Sequence, residues 1–363
     1  MKIKQMCMLV LLWLGVIPAM QAQTFDKLWK EVEQAEKKSL PQTVIKLTGE
    51  IYQKGEMEKN SPQMLKAYMW RMKYRDMLTP DSLYTSLQEL EQWAKQADKP
   101  MDRAILHSLI AGMYADYAAN NQWQLRQRTE IAGEAPSADM REWTANMFVE
   151  KVRTNVKEAM ADSVLLLNTS SRTYIPFVEL GETSEYYHHD MYHLLASRSI
   201  EALQRIQGLD RTTPIEAYSE ETSSEKESLV KQDIERIYDQ MLTSYKAKGD
   251  KEGCLLTSLN YLNWKHGTSK SFREPFRVKK GGTYMTFDPY ETGLDALKTE
   301  YKSLDLCAEV YLAQANNAIG KEQETVALQL CDEAIRLYPG YRRINALKNL
   351  REDILAPSLN VTA

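Results

Sequence analysis

Residues 304–339 read LDLCAEVYLAQANNAIGKEQETVALQLCDEAIRLYP. Two segments of helical apolar period flank a small polar break at Asn317, Gly320 and Lys321. In the second segment Ala327, Cys331 and Ala334 recur at intervals of four and three, which places them on one face of a helix. Pro339 stops the run, because proline brings no backbone N–H to the ladder. The stretch predicts two antiparallel helices joined by a tight turn. Such a hairpin cannot bury its apolar stripe alone, so further helices must cover it. The expected fold is all-α, a right-handed array of antiparallel helix hairpins with strands nearly absent.

The rest of the chain supplies hairpins of the same kind. Thr24 is placed to cap a helix running from Phe25, with Leu28, Trp29, Val32 and Ala35 on one face. Pro41 opens the next helix, with a stripe of Val44, Leu47, Ile51 and Tyr52. Ser61-Pro62 and Thr79-Pro80 each read as a cap followed by a first-turn proline, and further helices follow Pro100 and Pro136. Residues 163–180 break the rhythm and read as an irregular or extended crossing, with a helix resuming at Ser184. Residues 208–223 form a polar linker. Ser224 and Glu227 carry a capping-box signature for a helix to about Lys248, and another helix covers Cys254 to Trp264. FRVKKGGTYMTF, residues 276–287, predicts a small β-hairpin around Gly281-Gly282. Asp288, Pro289 and Glu291 then supply cap, first-turn proline and boxed glutamate for the final helices.

Composition excludes several classes of function. The 363 residues are 43% hydrophobic and 26% charged, with a formal net charge of −4. No basic field is present to hold nucleic acid. Residues 1–22 read as a secretory signal, with Lys2 and Lys4 ahead of an apolar run from Met6 to Val16 and a cleavage region from Pro18 to Ala22. The chain is expected in the periplasm, touching the membrane only through this signal. No cysteine stands directly after the cleavage point, so no lipid anchor is expected there. Cys7 leaves with the signal. Cys254, Cys307 and Cys331 remain, each in an apolar helical context, as small buried side chains; a Cys307–Cys331 bridge is disfavoured by their different distances from the turn.

Three groups of residues stand out as candidate sites. Glu185, His189 and His193, with His188 beside them, fall at i, i+4 and i+8 of the expected helix. Two histidines at such spacing hold zinc only with a further ligand and a glutamate between them. Asp190, Met191 and Tyr192 intervene instead, so a plain helix face is expected. Arg273, Arg277, Lys279 and Lys280 form a local basic cluster that reads as a solvated loop. The 20 tyrosines and 7 tryptophans mostly sit at core spacing, as with Trp29, Tyr52, Trp70, Trp93 and Tyr114. No nucleophile elbow, P-loop or dinucleotide fingerprint occurs. No catalytic, cofactor-binding or metal residue is expected, and the chain does not read as an enzyme.

The hairpin at 304–339 resembles a tetratricopeptide repeat, whose second helix carries Ala, an aromatic four residues on and a closing Pro. Cys331 replaces the aromatic, and Tyr311 falls where the first helix carries its Trp. Ile110, Ala111 and Tyr114 resemble the Leu-Gly-Tyr part of such a first helix. Pro62, Pro100, Pro136, Pro176 and Pro214 recur at a period just under 40 residues, which fits a helix-hairpin repeat.

TFDKLWKEVEQAEKKSLPQTVIKLTGEIYQK, PQMLKAYMWRMKY, EYYHHDMYHLLASRSIEAL and AIRLYPGYRRINALKNLREDI together resemble the N-terminal helical region of large exported alpha-2-macroglobulin-like proteins of Bacteroides and its relatives. The likeness runs from about Thr24 to Ala363. It implies a helical region set ahead of β-sandwich domains, which the chain's own linker divides into 23–207 and 224–355. The family's thioester motif does not carry over, because Gly253-Cys254 is followed by Leu255 and Leu256. The resemblance implies a non-catalytic interaction module whose partner is a protein, either a downstream macroglobulin-type chain or an envelope component. The alternative is an independent tetratricopeptide-like protein binding a protein or a glycan. Residues 356–363 alternate apolar and polar after Pro357 and are expected to start a strand of a β-sandwich domain that the chain lacks.

Overall fold

Thr24 accepts a hydrogen bond from the Lys27 amide at 3.3 Å and opens helix α1, Phe25–Lys37. From there the computed structural model describes residues 24–79, 82–128, 137, 139–181, 184–187, 189–210, 228–269, 272, 275–280 and 283–356. The described residues are all-α in class, with fifteen α-helices and one two-stranded sheet. None of these helices is long and apolar enough to cross a membrane. The signal at 1–22, Pro136, Pro214, Ser224, Glu227 and most of the 356–363 tail lie outside the described residues.

The chain divides into two compact units. The first comprises Met1–Leu106 with Ser170–Glu179. Here α1 is followed by α2 (Pro41–Met57), α3 (Ser61–Leu78), α4 (Ser82–Gln96) and the first turns of α5 (Pro100–Asn120). Its core gathers Leu28, Val32, Ala35, Val44, Ile51 and Ala67, against which Trp29, Tyr52 and Trp70 pack. The α2–α3 approach is close because of Gly55, where a Cβ would come within 2.9 Å of Met64 Cγ and 3.3 Å of its amide nitrogen. The α3 cap is Asn60, which accepts from the Gln63 amide at 3.3 Å. Ser61, expected as the cap, is freed for tertiary work: its hydroxyl donates to buried Asp102 at 2.5 Å, and Tyr174 donates to the other carboxylate oxygen at 2.6 Å.

The second unit comprises His107–Thr169 and Leu180–Ala363. It holds the remainder of α5, then α6 (Gln122–Gln127), α7 (Ala145–Ala159), α8 (Ser163–Asn168), α9 (Met191–Ile206), α10 (Leu229–Lys248) and α11 (Lys251–Thr268). The hairpin β1 (Phe276–Lys280) and β2 (Thr283–Phe287) follows, and then α12 (Pro289–Glu300), α13 (Ala308–Gly320), α14 (Glu324–Leu337) and α15 (Ile344–Leu355). From α9 onward each helix packs on the helix before it in sequence, and α13 also meets α15. The hairpin is antiparallel, pairing Phe276 with Phe287 and Lys280 with Thr283 across positions 281–282. Of the linker expected at 208–223, only residues 208–210 belong to the described set, in this unit.

The decisive hairpin forms as read. Ala327, Cys331 and Ala334 are each fully buried on α14, which ends at Leu337, ahead of Pro339. The turn follows Gly320, with Glu322 at φ 59°, so Asn317 and Gly320 belong to the helix rather than the break. Tyr311 packs edge-on against Tyr338 with ring centroids 5.8 Å apart. Cys254, Cys307 and Cys331 are buried free thiols, and burial raises the pKa of each.

Four local expectations are corrected. Residues 163–180 hold no strand: they form α8 and a 3-10 turn at Ser171–Tyr174. The helix expected from Ser184 starts only at Met191, after a separate 3-10 turn at Ser184–Tyr186, because Asp190 caps it by accepting from the His193 amide at 2.9 Å. The α10 cap is Ser228, whose hydroxyl accepts from the Lys231 amide at 3.2 Å. Pro176 sits in a cis Ile175–Pro176 bond outside any helix, so the proline period does not mark one helix start per repeat.

Candidate binding groove

The α9 start at Met191 removes the expected histidine stripe. Glu185 belongs to the preceding 3-10 turn, His189 precedes the helix, and only His193 stands on it. Helical spacing therefore cannot align the three, and no cluster of three metal-binding side chains occurs among the described residues. His188 and Arg273 lie outside them. Arg277, Lys279 and Lys280 share strand β1, with Arg277 exposed. His193 instead hydrogen-bonds through Nδ1 to the Tyr245 hydroxyl, and its ring lies 3.9 Å from that of Tyr187.

That His193–Tyr187 pair closes one end of a groove in the second unit, about 730 Å³ in volume. Ser197 and Gln204 of α9, Gln207 just past its end, Thr257, Asn260 and Trp264 of α11, and Tyr238 and Met241 of α10 line it. A smaller recess of about 310 Å³ shares Tyr187, Asn260 and Asn263 with it and extends to Leu312, Asn316 and Arg343. Side-chain amides from α9, α11 and α13 thus line neighbouring hollows.

Aromatic partners orient these amides. The Trp264 indole donates to Gln207 Oε1 at 3.0 Å, and the Tyr290 hydroxyl donates to Asn263 Oδ1 at 2.7 Å. With their carbonyls occupied, both side chains keep NH2 groups that no described residue binds, and each NH2 offers two donors. Gln204 stands beside the Tyr238 hydroxyl and Asn260 beside that of Tyr187. Burial pushes Tyr238 up to about 12 despite Gln204, and burial with Glu309 pushes Tyr187 up further. Both phenols therefore stay neutral donors across the physiological range.

Charge at the groove is internally paired. Glu201 accepts from Arg205 at 2.8 Å and Arg198 at 3.0 Å. Glu309 accepts from Arg343 at 2.7 Å and from the Tyr341 hydroxyl. Thr257, also lining the groove, is 2% exposed, and its hydroxyl has no hydrogen-bond partner among the described residues. A buried hydroxyl without a partner costs roughly 1–3 kcal/mol. A ligand atom reaching it would recover part of that cost.

Sequence reasoning missed these amides because single Gln and Asn residues on helices read as solvated surface. The signal was the three-residue spacing of Gln204 with Gln207 and Asn260 with Asn263, which puts each pair on one helix face. That the two faces oppose each other is a tertiary fact. Comparison of this chain with protein-family models, with curated proteins and with solved structures finds no match.

Proposed function

We propose that this chain is a non-catalytic, exported interaction module of the kind found at the front of bacterial alpha-2-macroglobulin-like proteins, and that its α9–α11 groove receives an extended segment of a partner protein. The oriented amide set is the observation that carries the reading. A peptide backbone offers alternating N–H donors and C=O acceptors, and side-chain amides match both. Amides already held by Trp264 and Tyr290 lose little rotational freedom on binding, which favours affinity. Trp264 and Tyr238 are 7% and 5% exposed, so they present little open ring face for stacking on a sugar in this groove. The paired charges favour an uncharged segment.

The partner under this proposal is a macroglobulin-type chain or another envelope protein, met in the periplasm after loss of residues 1–22 and without a lipid anchor. N-terminal sequencing of the exported protein tests the location, and a start at Met1 would refute it. A display library of unstructured peptides tests the groove. Replacing both Asn260 and Asn263 with alanine removes two bonds of about 0.5–1.5 kcal/mol each, so selected peptides should bind about tenfold more weakly. Failure of any peptide to bind the intact chain, or undiminished binding by the double variant, would discard the reading.

A further inference from the structure

The first unit carries a second groove of about 650 Å³, lined by α2, α3 and α4 and unrelated to the peptide reading above. Several of its polar groups bond no described residue. Trp29, Trp70, Trp143 and Trp264 each place the indole N–H on an acceptor, at 2.7, 3.1, 2.7 and 3.0 Å. Trp123 is 76% exposed and meets water. Trp93 is half-buried on the groove wall, packed edge-on against Tyr52 and Tyr68 at 5.6 and 5.7 Å, and its N–H has no protein partner among the described residues and stays accessible in the groove. The Tyr52 hydroxyl beside it is likewise unpaired, whereas neighbouring Tyr68 donates to the Ser86 carbonyl at 2.9 Å and to Glu89 at 3.0 Å.

Gln88, Gln92 and Gln96 follow one another every fourth residue along the same wall, so their amides form a row about 12 Å long on one face of α4. The Gln92 and Gln96 amides make no hydrogen bond among the described residues, nor does the exposed carboxylate of Glu56 across the groove. Rings, planar amides and a carboxylate therefore share one hollow, and Met64 is its one aliphatic lining residue. A peptide needs pockets for alternate side chains, which this lining does not provide. A sugar ring offers an apolar C–H face to an aromatic side chain and a rim of hydroxyls that both donate and accept.

Charge narrows the class further. Glu56 and Glu89 both line the groove. Two arginines reach Glu89, Arg75 at 3.0 Å and Arg71 at 3.9 Å, and both are committed to it; Arg71 also lies over the Tyr52 ring, 5.3 Å from its centroid. With Arg71 and Arg75 both paired to Glu89, the groove offers a sulfated or uronic-acid sugar no uncommitted cation, while Glu56 repels it. We infer that this groove is a binding site for a neutral oligosaccharide, seated against Trp93 and Tyr52 and held by Gln92, Gln96 and Glu56.

The test is a titration of the intact chain with neutral oligomers of glucose, mannose, galactose and N-acetylglucosamine, alongside sulfated and uronic-acid oligomers, read by calorimetry. At least one neutral series should bind. Trp93→Ala and the paired change Gln92→Ala with Gln96→Ala should each weaken it about tenfold or more, the scale of two lost hydrogen bonds or one lost aromatic contact. Trp93→Phe, which keeps a ring and loses the N–H, should fall between. Asn260→Ala with Asn263→Ala, in the other unit, should leave sugar binding unchanged. Gln92 and Gln96 are exposed and their amides bond no described residue, so their replacement tests the site without threatening the fold. The inference is overturned if no neutral oligomer binds, if only acidic ones do, if binding survives the Gln92/Gln96 pair, or if it is lost with the Asn260/Asn263 pair.

Discussion

Gly249 shows how much one residue can decide. It follows α10 in the left-handed region at φ 69°, and its N–H bonds back to the Lys246 carbonyl, while the Asp250 N–H reaches the Tyr245 carbonyl. Asp250 then caps α11 by accepting from the Gly253 amide at 2.8 Å. A side chain at position 249 meets no steric obstacle but must adopt a backbone that L-residues disfavour. Gly249→Ala should destabilise the protein by about 1–2 kcal/mol, seen as a lower urea midpoint with an unchanged slope. Thr257 tests the groove at the same scale. Thr257→Val removes the unpartnered hydroxyl at nearly constant shape, so it should leave stability unchanged or raise it by up to about 1 kcal/mol while weakening peptide binding. Clear destabilisation in the unliganded chain would show that the hydroxyl has a partner after all.

At the scale of elements, caps place helix starts, and one cap also does tertiary work. Asp288 accepts from the Tyr290 and Glu291 amides at 3.0 and 3.1 Å and from Lys321 at 2.8 Å, tying the start of α12 to the turn after α13. The boxed glutamate turns away from the cap: Glu291 accepts from Asn317 and, at 3.4 Å, from Lys321. Burial alone would raise the Asp288 pKa, but Lys321 and the two backbone N–H groups outweigh it and hold the carboxyl below its usual range. A carboxyl lowered in the folded state contributes stability above its unfolded pKa of about 3.9 and loses it as pH falls through the folded value. Asp288→Asn keeps the capping oxygen and loses the charge. It should lower stability near neutrality and flatten the fall in urea midpoint below about pH 4. An acid limb as steep as that of the parent would contradict the assignment.

Across the whole molecule the buried phenols set the alkaline limit. Burial, reinforced by Glu89, Asp102, Asp190 and Glu309 respectively, pushes Tyr68, Tyr174, Tyr245 and Tyr341 well above the ordinary tyrosine range. Each folded phenol holds its proton more tightly than the unfolded chain, whose phenols ionise near about pH 10. Stability should therefore be intact below that pH and fall as pH rises beyond it. Phenolate absorbance and loss of helical circular dichroism should appear together in one steep step. Gradual ionisation near pH 10 with the helices intact would show that these rings are not buried.

Read alone, the sequence was enough for the all-α class, because that rests on local rules. Apolar period, proline and glycine placement and turn chemistry act within a few residues, and they locate α1, α2, the β1–β2 hairpin and the α13–α14 pair. Pattern also marked Ala327, Cys331 and Ala334 as core, since burial follows the face of a single helix. Tertiary structure decided whatever depends on competition between nearby groups or on residues far apart in sequence. Asn60 rather than Ser61 caps α3 because buried Asp102, 41 residues on, claims the Ser61 hydroxyl. Asp190 starts α9 inside a stretch whose pattern ran on as helix. The amides of α9 and α11 become a groove only where packing sets the two faces opposite each other, and Trp93 becomes a candidate site only because its neighbours leave its N–H without an acceptor. Hydrogen-bond partners are chosen in three dimensions, and a one-dimensional pattern carries no record of that choice.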